Sequence, residues 1–145
     1  MRTTEILLVD DNPADSQLAT EVLARHKCPS RIHTVTDGTK AIAFLRREGE
    51  YVDAVLPDFV ILDLNLPCKD GRAVLAEVKA DPTQRKIPIV IFSTSKAPQD
   101  ITRSYELGAN GYVSKPGNLQ EFISAVTLIG EFWLGLACLP REENR

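Results

Sequence analysis

The stretch FVILDLNLP (residues 59–67) sets four apolar residues, 59–62, directly ahead of a single carboxylate, Asp63. So short and so apolar a run reads as a strand covered on both faces, and the acid behind it marks the strand's carboxyl end. Working outward, similar runs lie at 6–9, 32–35, 89–92 and 111–113, and the segments between them carry helical periodicity. Asp11-Asn12-Pro13 opens a first helix, with Leu18, Val22 and Leu23 on one face, before the chain reaches Cys28-Pro29. Asp37-Gly38-Thr39 opens a second, with Ala41, Ile42 and Leu45 on its apolar face, ending near Gly49. A third follows Gly71, carries Val74, Leu75 and Val78, and stops at Asp81-Pro82, where proline cannot continue it. A fourth covers about 99–107 and is closed by Gly108, a residue suited to the left-handed position past a helix end. Five strands alternating with helices predict an α/β fold, (βα)5, because parallel strands need right-handed helical crossovers. The expected sheet is doubly wound in the order 2-1-3-4-5, with its ligand crevice at the carboxyl ends of the strands.

The 145 residues suit one domain, 1–145, with a core over about 4–128 and an apolar C-terminal helix and tail over about 129–140. Hydrophobic residues at 43% and charged residues at 26% supply one core and a polar surface. A net charge of −3, with Lys and Arg scattered singly or in pairs, argues against direct DNA binding. The N-terminal apolar run is too short for a signal peptide, and no other stretch is expected to reach membrane-spanning length. Three cysteines without paired spacing suggest neither a disulfide framework nor a zinc site, so a cytoplasmic location is expected. His26 and His33 have no acid or nucleophile at a telling spacing.

The strand ends carry the chemistry. Asp10 and Asp11 follow the first strand, Asp63 the third, Ser93 and Thr94 the fourth, and Lys115 with Pro116 the fifth. One such aspartate alone is commonly a cap or a turn residue; it is the joint pattern that points to a site. Carboxylates gathered in a partly dry crevice repel one another, and a hard dication with oxygen ligands, Mg2+, neutralises them most simply. Asp63, alone after the most apolar strand, is the expected nucleophile toward phosphorus. Lys115 offers a point charge and Ser93 a hydroxyl for phosphoryl oxygens.

The strings LLVDDN, ILDLNLPCKDG, PIVIFSTS and GANGYVSKP, in this order over nearly the whole chain, closely resemble the receiver domains of bacterial two-component response regulators. The resemblance implies a flavodoxin-like fold with Asp63 as phosphoacceptor. Asp10 and Asp11 would be the acidic metal pair, completed by Asp63 and the Asn65 backbone carbonyl. It also implies that Ser93 and Lys115 bind the phosphoryl group, that Tyr112 is a switch aromatic, and that Pro116 follows a cis peptide. A narrower resemblance, carried by LLVDDNPAD, FSTSKAPQDI, SYELGANGY and EFWLGLACLP, is to the small response regulators that partner phytochrome-type histidine kinases. It implies a phosphohistidine donor on a sensor histidine kinase and a receiver without an output domain. The residues after the last strand are too few for a helix-turn-helix unit.

Phosphorylation adds roughly −1.5 to −2 charge. The expectation is that Ser93 moves toward it and Tyr112 rotates into the space left, remodelling the surface of helix four, strand five and helix five. The last helix has a core stripe of Leu119, Phe122, Ile123, Val126, Ile129 and Trp133, beside a second stripe of Ala125, Leu128, Phe132, Leu136 and Leu139. That arc is wider than packing on one sheet requires. It predicts a symmetric homodimer through Leu128, Phe132, Leu136 and Leu139, or else a stripe that folds back over its own domain. Cys68, beside the crevice, reads as an ordinary loop cysteine. Two competing functions are a phosphatase or phosphotransferase with an aspartate nucleophile, and a non-phosphorylated scaffold. The first calls for a second acid shortly after Asp63, where Asn65 stands; the second leaves the acids and Lys115 without purpose.

Overall fold

The computed structural model describes residues 2–140. Its strands, β1 (Thr4–Val9), β2 (Ser30–Val35), β3 (Phe59–Leu62), β4 (Ile89–Ser93) and β5 (Gly111–Ser114), form one parallel sheet in the order β2-β1-β3-β4-β5. Alternate residues of the buried strands feed two cores. Leu7, Val9, Val60 and Leu62 face α2 (Gly38–Arg46) and α3 (Gly71–Ala80), whereas Ile6, Leu8, Phe59 and Ile61 face α1 (Pro13–Ala24) and α5 (Leu119–Gly130). Helix α4 (Pro98–Glu106) follows β4.

Register positions the crevice. Val9 pairs with both Val35 and Leu62, so β1 and β3 end level. The ladder continues one residue further, with Asp10 N–H donating to Val35 O and Asp63 N–H to Val9 O. The two aspartates therefore leave the sheet side by side. Helix starts are held by side-chain caps: Asn12, Asp37, Asp70 and Asn118 each accept a backbone N–H from the first turn. Helix α4 starts at Pro98 and Gly108 closes it with φ +106.

Several expectations change. β2 begins two residues early, at Ser30, and α2 stops at Arg46, where Arg47 turns left-handed with φ 56. The loop after it has structure of its own. It holds a 3-10 turn, Gly49–Tyr51, whose tyrosine ring packs 5.4 Å from that of Phe44. Leu119, expected in the core, is 64% exposed, because it opens α5 before the buried face of Phe122, Val126 and Ile129 begins.

Beyond α5 the helix widens into a π turn, Glu131–Leu136, and Trp133 stacks on Phe59 with centroids 5.7 Å apart. The second stripe splits: Leu128, Phe132 and Leu136 are exposed, whereas Leu139 packs back against the core. The 18 residues Leu119–Leu136 do reach membrane-spanning length, with a mean hydropathy of 1.2. One face of that helix is nevertheless committed to the sheet.

The expected cis peptide before Pro116 is absent, as no cis bond occurs among the described residues. Trans is the lower state of an X–Pro bond by about 0.5–1 kcal/mol, so cis needs a neighbourhood that imposes it. The loop is open here: a side chain built at Gly117 would meet nothing within 4 Å.

Candidate functional site at the carboxyl edge of the sheet

Lys115 is reached by extension of β5, its backbone N–H donating to Ser93 O at 2.7 Å. Its side chain turns into the crevice, where Nζ donates to Asp10 Oδ2 at 2.8 Å, to Asp63 Oδ2 at 2.9 Å and to Asp15 Oδ2 at 3.0 Å. Lys115 and Asp10 side chains are each 3% exposed and Asp63 is 10% exposed. Burial by itself lowers the Lys115 pKa, but the hydrogen bonds and charges of Asp10 and Asp63 outweigh it and hold the ammonium well above its ordinary value. Asp10 is pulled both ways: burial raises its pKa, while Lys115 and the Asn12 N–H pull it down, and the net direction is up. The ammonium 2.8 Å away is the counter-charge that offsets part of the cost of burying the Asp10 carboxylate.

Asp10, Asp11 and Asp63 each present a carboxylate oxygen, all within 4.8 Å of one another. Such an all-oxygen set fits a hard divalent cation and offers nothing to a soft one. Asp11 is exposed, on the open side of the crevice, and Asn65 is exposed two residues past Asp63. Gly71 explains how α3 comes so close: a Cβ there would lie 2.2 Å from Asp63 O and 2.7 Å from Leu64 Cα, so only glycine fits.

Ser93 is fully buried at the end of β4, and its Oγ accepts the Ser95 N–H at 3.3 Å. The half-buried Tyr112 packs against the α2–α3 core, and its hydroxyl donates to Ser95 O at 2.9 Å. That bond ties the ring to the loop after β4. Ser95 Oγ donates to Asp100 Oδ2 at 2.6 Å, and Arg72 Nη2 donates to Asp100 Oδ1 at 2.8 Å while its Nη1 pairs with Asp70. The Ser95 hydroxyl first, then Arg72, hold the Asp100 carboxyl below the usual carboxylate range.

The sequence-predicted residues Asp10, Asp11, Asp63 and Lys115 thus meet at one point, with Ser93 on the adjoining strand end. Thr94 is exposed, and Cys68 is exposed on a left-handed turn, φ 66. Sequence reasoning missed Asp15 and the Ser95–Asp100–Arg72 chain. Asp15 had a signal, its place three residues after the capping Asn12; the pairing of Arg72 with Asp100 had none. A groove of about 670 Å3 between α1 and α5, lined by Leu23, His26, Val126 and Gly130 among others, includes none of these residues.

The model of the response regulator receiver domain matches residues 6–127. Response regulator Rcp1 of Synechocystis sp. is 44% identical over 135 residues, covering 93% of this chain and 92% of that protein. The crystal structure of the phosphorylated cyanobacterial phytochrome response regulator RcpA is similar with TM-score 0.94 and 50% identity, over 97% of this chain and 100% of that one. The structure of the Mn(2+)-bound form of Rcp1 is similar with TM-score 0.93 and 43% identity, over 95% of this chain and 99% of that one.

Proposed function

This chain belongs to the response regulator receiver family and serves phosphorelay signalling; from that premise we propose that Asp63 is its phosphoacceptor and that a phytochrome-type sensor histidine kinase is the donor. The observation that carries the reading is the Lys115 ammonium held between the Asp10 and Asp63 carboxylates at the open end of the sheet.

An Asp63 oxygen attacks the donor phosphorus, a P–O bond forms as the P–N bond of the phosphohistidine breaks, and the bonding pair stays with the imidazole. Lys115 is placed to follow the charge from the carboxylate onto the phosphoryl oxygens, and Ser93 offers its hydroxyl from β4. Asp10, Asp11, Asp63 and the Asn65 carbonyl are the residues that would hold Mg2+. When bound, Mg2+ supplies charge neutralisation for the phosphoryl oxygens. The oxygen cluster within 4.8 Å and the Mn(2+)-bound relative support that choice. The chain catalyses its own phosphorylation and dephosphorylation and turns over no other substrate. An exposed Asn65, where a turnover phosphatase would want an acid, favours this.

The output is a population shift. As Ser93 Oγ turns to the phosphoryl group it gives up the Ser95 N–H, and Tyr112, bonded to the same residue, transmits the change to the surface of α4, β5 and α5. That surface has an apolar groove of about 460 Å3 lined by Tyr105, Tyr112, Leu128, Phe132 and Trp133, which supports a symmetric homodimer. Leu139 drops out of the dimer face, since it is occupied with its own core. A phytochrome-type partner is supported by the likeness to RcpA, a cytoplasmic location by three unpaired cysteines, the absence of direct DNA binding by the net charge of −3, and the absence of a membrane span by the packing of one face of Leu119–Leu136 on the sheet.

The test is incubation with acetyl phosphate and Mg2+, read by intact mass. One phosphoryl group per chain, lost in Asp63→Asn, is expected; many turnovers, or no labelling, would overturn the proposal.

A further inference from the structure

An ammonium group has three N–H bonds, and all three of Lys115's are taken by carboxylates. Two of these belong to the acceptor and metal residues already described. The third, Asp15, does not: it is outside the group of acids whose oxygens converge within 4.8 Å. Its place is set by the start of α1, where Asn12 Oδ1 accepts the Asp15 N–H at 3.1 Å immediately after the acidic pair. The Asp15 side chain is 28% exposed, against 3% for Asp10 and 10% for Asp63, so it stands on the solvent side of Lys115. An acid in a helix's first turn is commonplace, because it complements the helix dipole. The dipole does not account for a 3.0 Å contact with a buried lysine one hundred residues away.

We propose that Asp15 tunes the charge of the phosphorylation site: paired with Lys115 on its solvent side, its carboxylate sets the charge that an incoming dication and an incoming phosphoryl donor meet. This rests on the reading of Asp63 as phosphoacceptor. When Asp63 becomes an acyl phosphate its carboxyl loses its charge, and Asp10 shares its oxygens with the cation. Asp15 is the one carboxylate left with no other task than the ammonium. Four carboxylates against one ammonium leave three negative charges in the crevice, and a dication leaves one. Asp15→Asn removes that last charge.

The consequence has two opposite signs. Without Asp15 the crevice attracts a cation less and repels an anionic donor less, whereas a residue that only supported the fold would weaken both interactions when lost. In the full chain, Mn2+ affinity is measured by calorimetry, and the acetyl phosphate concentration for half-maximal labelling is measured at saturating Mn2+. For Asp15→Asn the Mn2+ Kd is expected to rise about fivefold and the half-saturating acetyl phosphate concentration to fall by a similar factor, the scale of one unit charge at a partly hydrated site. Asp15→Glu, which keeps the charge, is expected to bind Mn2+ as the parent does, and it preserves the test should the first variant fold poorly. An unchanged Mn2+ affinity in Asp15→Asn, both affinities weakening together, or a large loss of Mn2+ binding in Asp15→Glu overturns the role of Asp15. A parent chain that takes no phosphoryl group overturns the underlying reading instead, and the role with it.

Discussion

The hydroxyl of Tyr112 donates to the carbonyl oxygen of Ser95 at 2.9 Å, and the backbone N–H of the same serine donates to Ser93 Oγ. One loop residue thus joins the aromatic on β5 to the hydroxyl at the end of β4. Tyr112→Phe removes that bond and leaves the ring in place. The expected loss of stability is small, about 0.5–1.5 kcal/mol by urea unfolding, with phosphorylation by acetyl phosphate intact. Partner or self affinity should respond less to phosphorylation than in the parent. An undiminished response measured by sedimentation and kinase pull-down would remove Tyr112 from the switch.

Asp100 makes stability depend on pH in the acid range. Its folded-state pKa is depressed by the Ser95 hydroxyl and by Arg72, so it adds stability above the ordinary carboxylate pKa of about 3.9, and that stability is lost as pH falls through the folded value. In Asp100→Asn the drop in urea midpoint below about pH 4 should be shallower than in the parent. Identical acid limbs would show that the Ser95–Asp100–Arg72 chain does not persist in solution.

Gly71→Ala tests the approach of α3 to the end of β3. A Cβ placed 2.2 Å from Asp63 O forces the backbone beside the acceptor to move, at a cost of about 1–3 kcal/mol. Divalent cation affinity should fall with it, because the carboxylate and the loop through Asn65 shift together. Gly49→Ala, where nothing lies within 4 Å, is the control for backbone strain alone, since its φ is +60.

Leu128→Glu with Leu136→Glu probes the exposed half of the C-terminal stripe. Both side chains are largely in solvent, 63% and 74% exposed, so thermal stability of the monomer should change little. Sedimentation should show the parent as a dimer at high concentration and the double variant as a monomer. A monomeric parent, with and without a phosphate analogue, removes the dimer proposal.

Most of the architecture was legible in the sequence, and so was the heart of the site. Apolar runs such as 59–62 fix where strands lie because period and length are local properties, and Asp10, Asp63 and Lys115 were readable because strand ends in a parallel sheet share one edge. The first two helix starts were readable for the same reason, since Asn12 and Asp37 cap through bonds spanning three residues.

What only the tertiary structure decided involves partners far apart in the chain. The third carboxylate on Lys115, the bridge from Arg72 to Asp100, the bond from Tyr112 to Ser95 and the trans peptide before Pro116 depend on how packed elements meet. So does the division of the second C-terminal stripe, in which Leu139 is drawn to the core while Leu128 and Leu136 are left outside. Hydrophobic pattern sets which faces are buried. Hydrogen bonds act over about 3 Å, so which donor meets which acceptor is set by register and packing after the faces have come together.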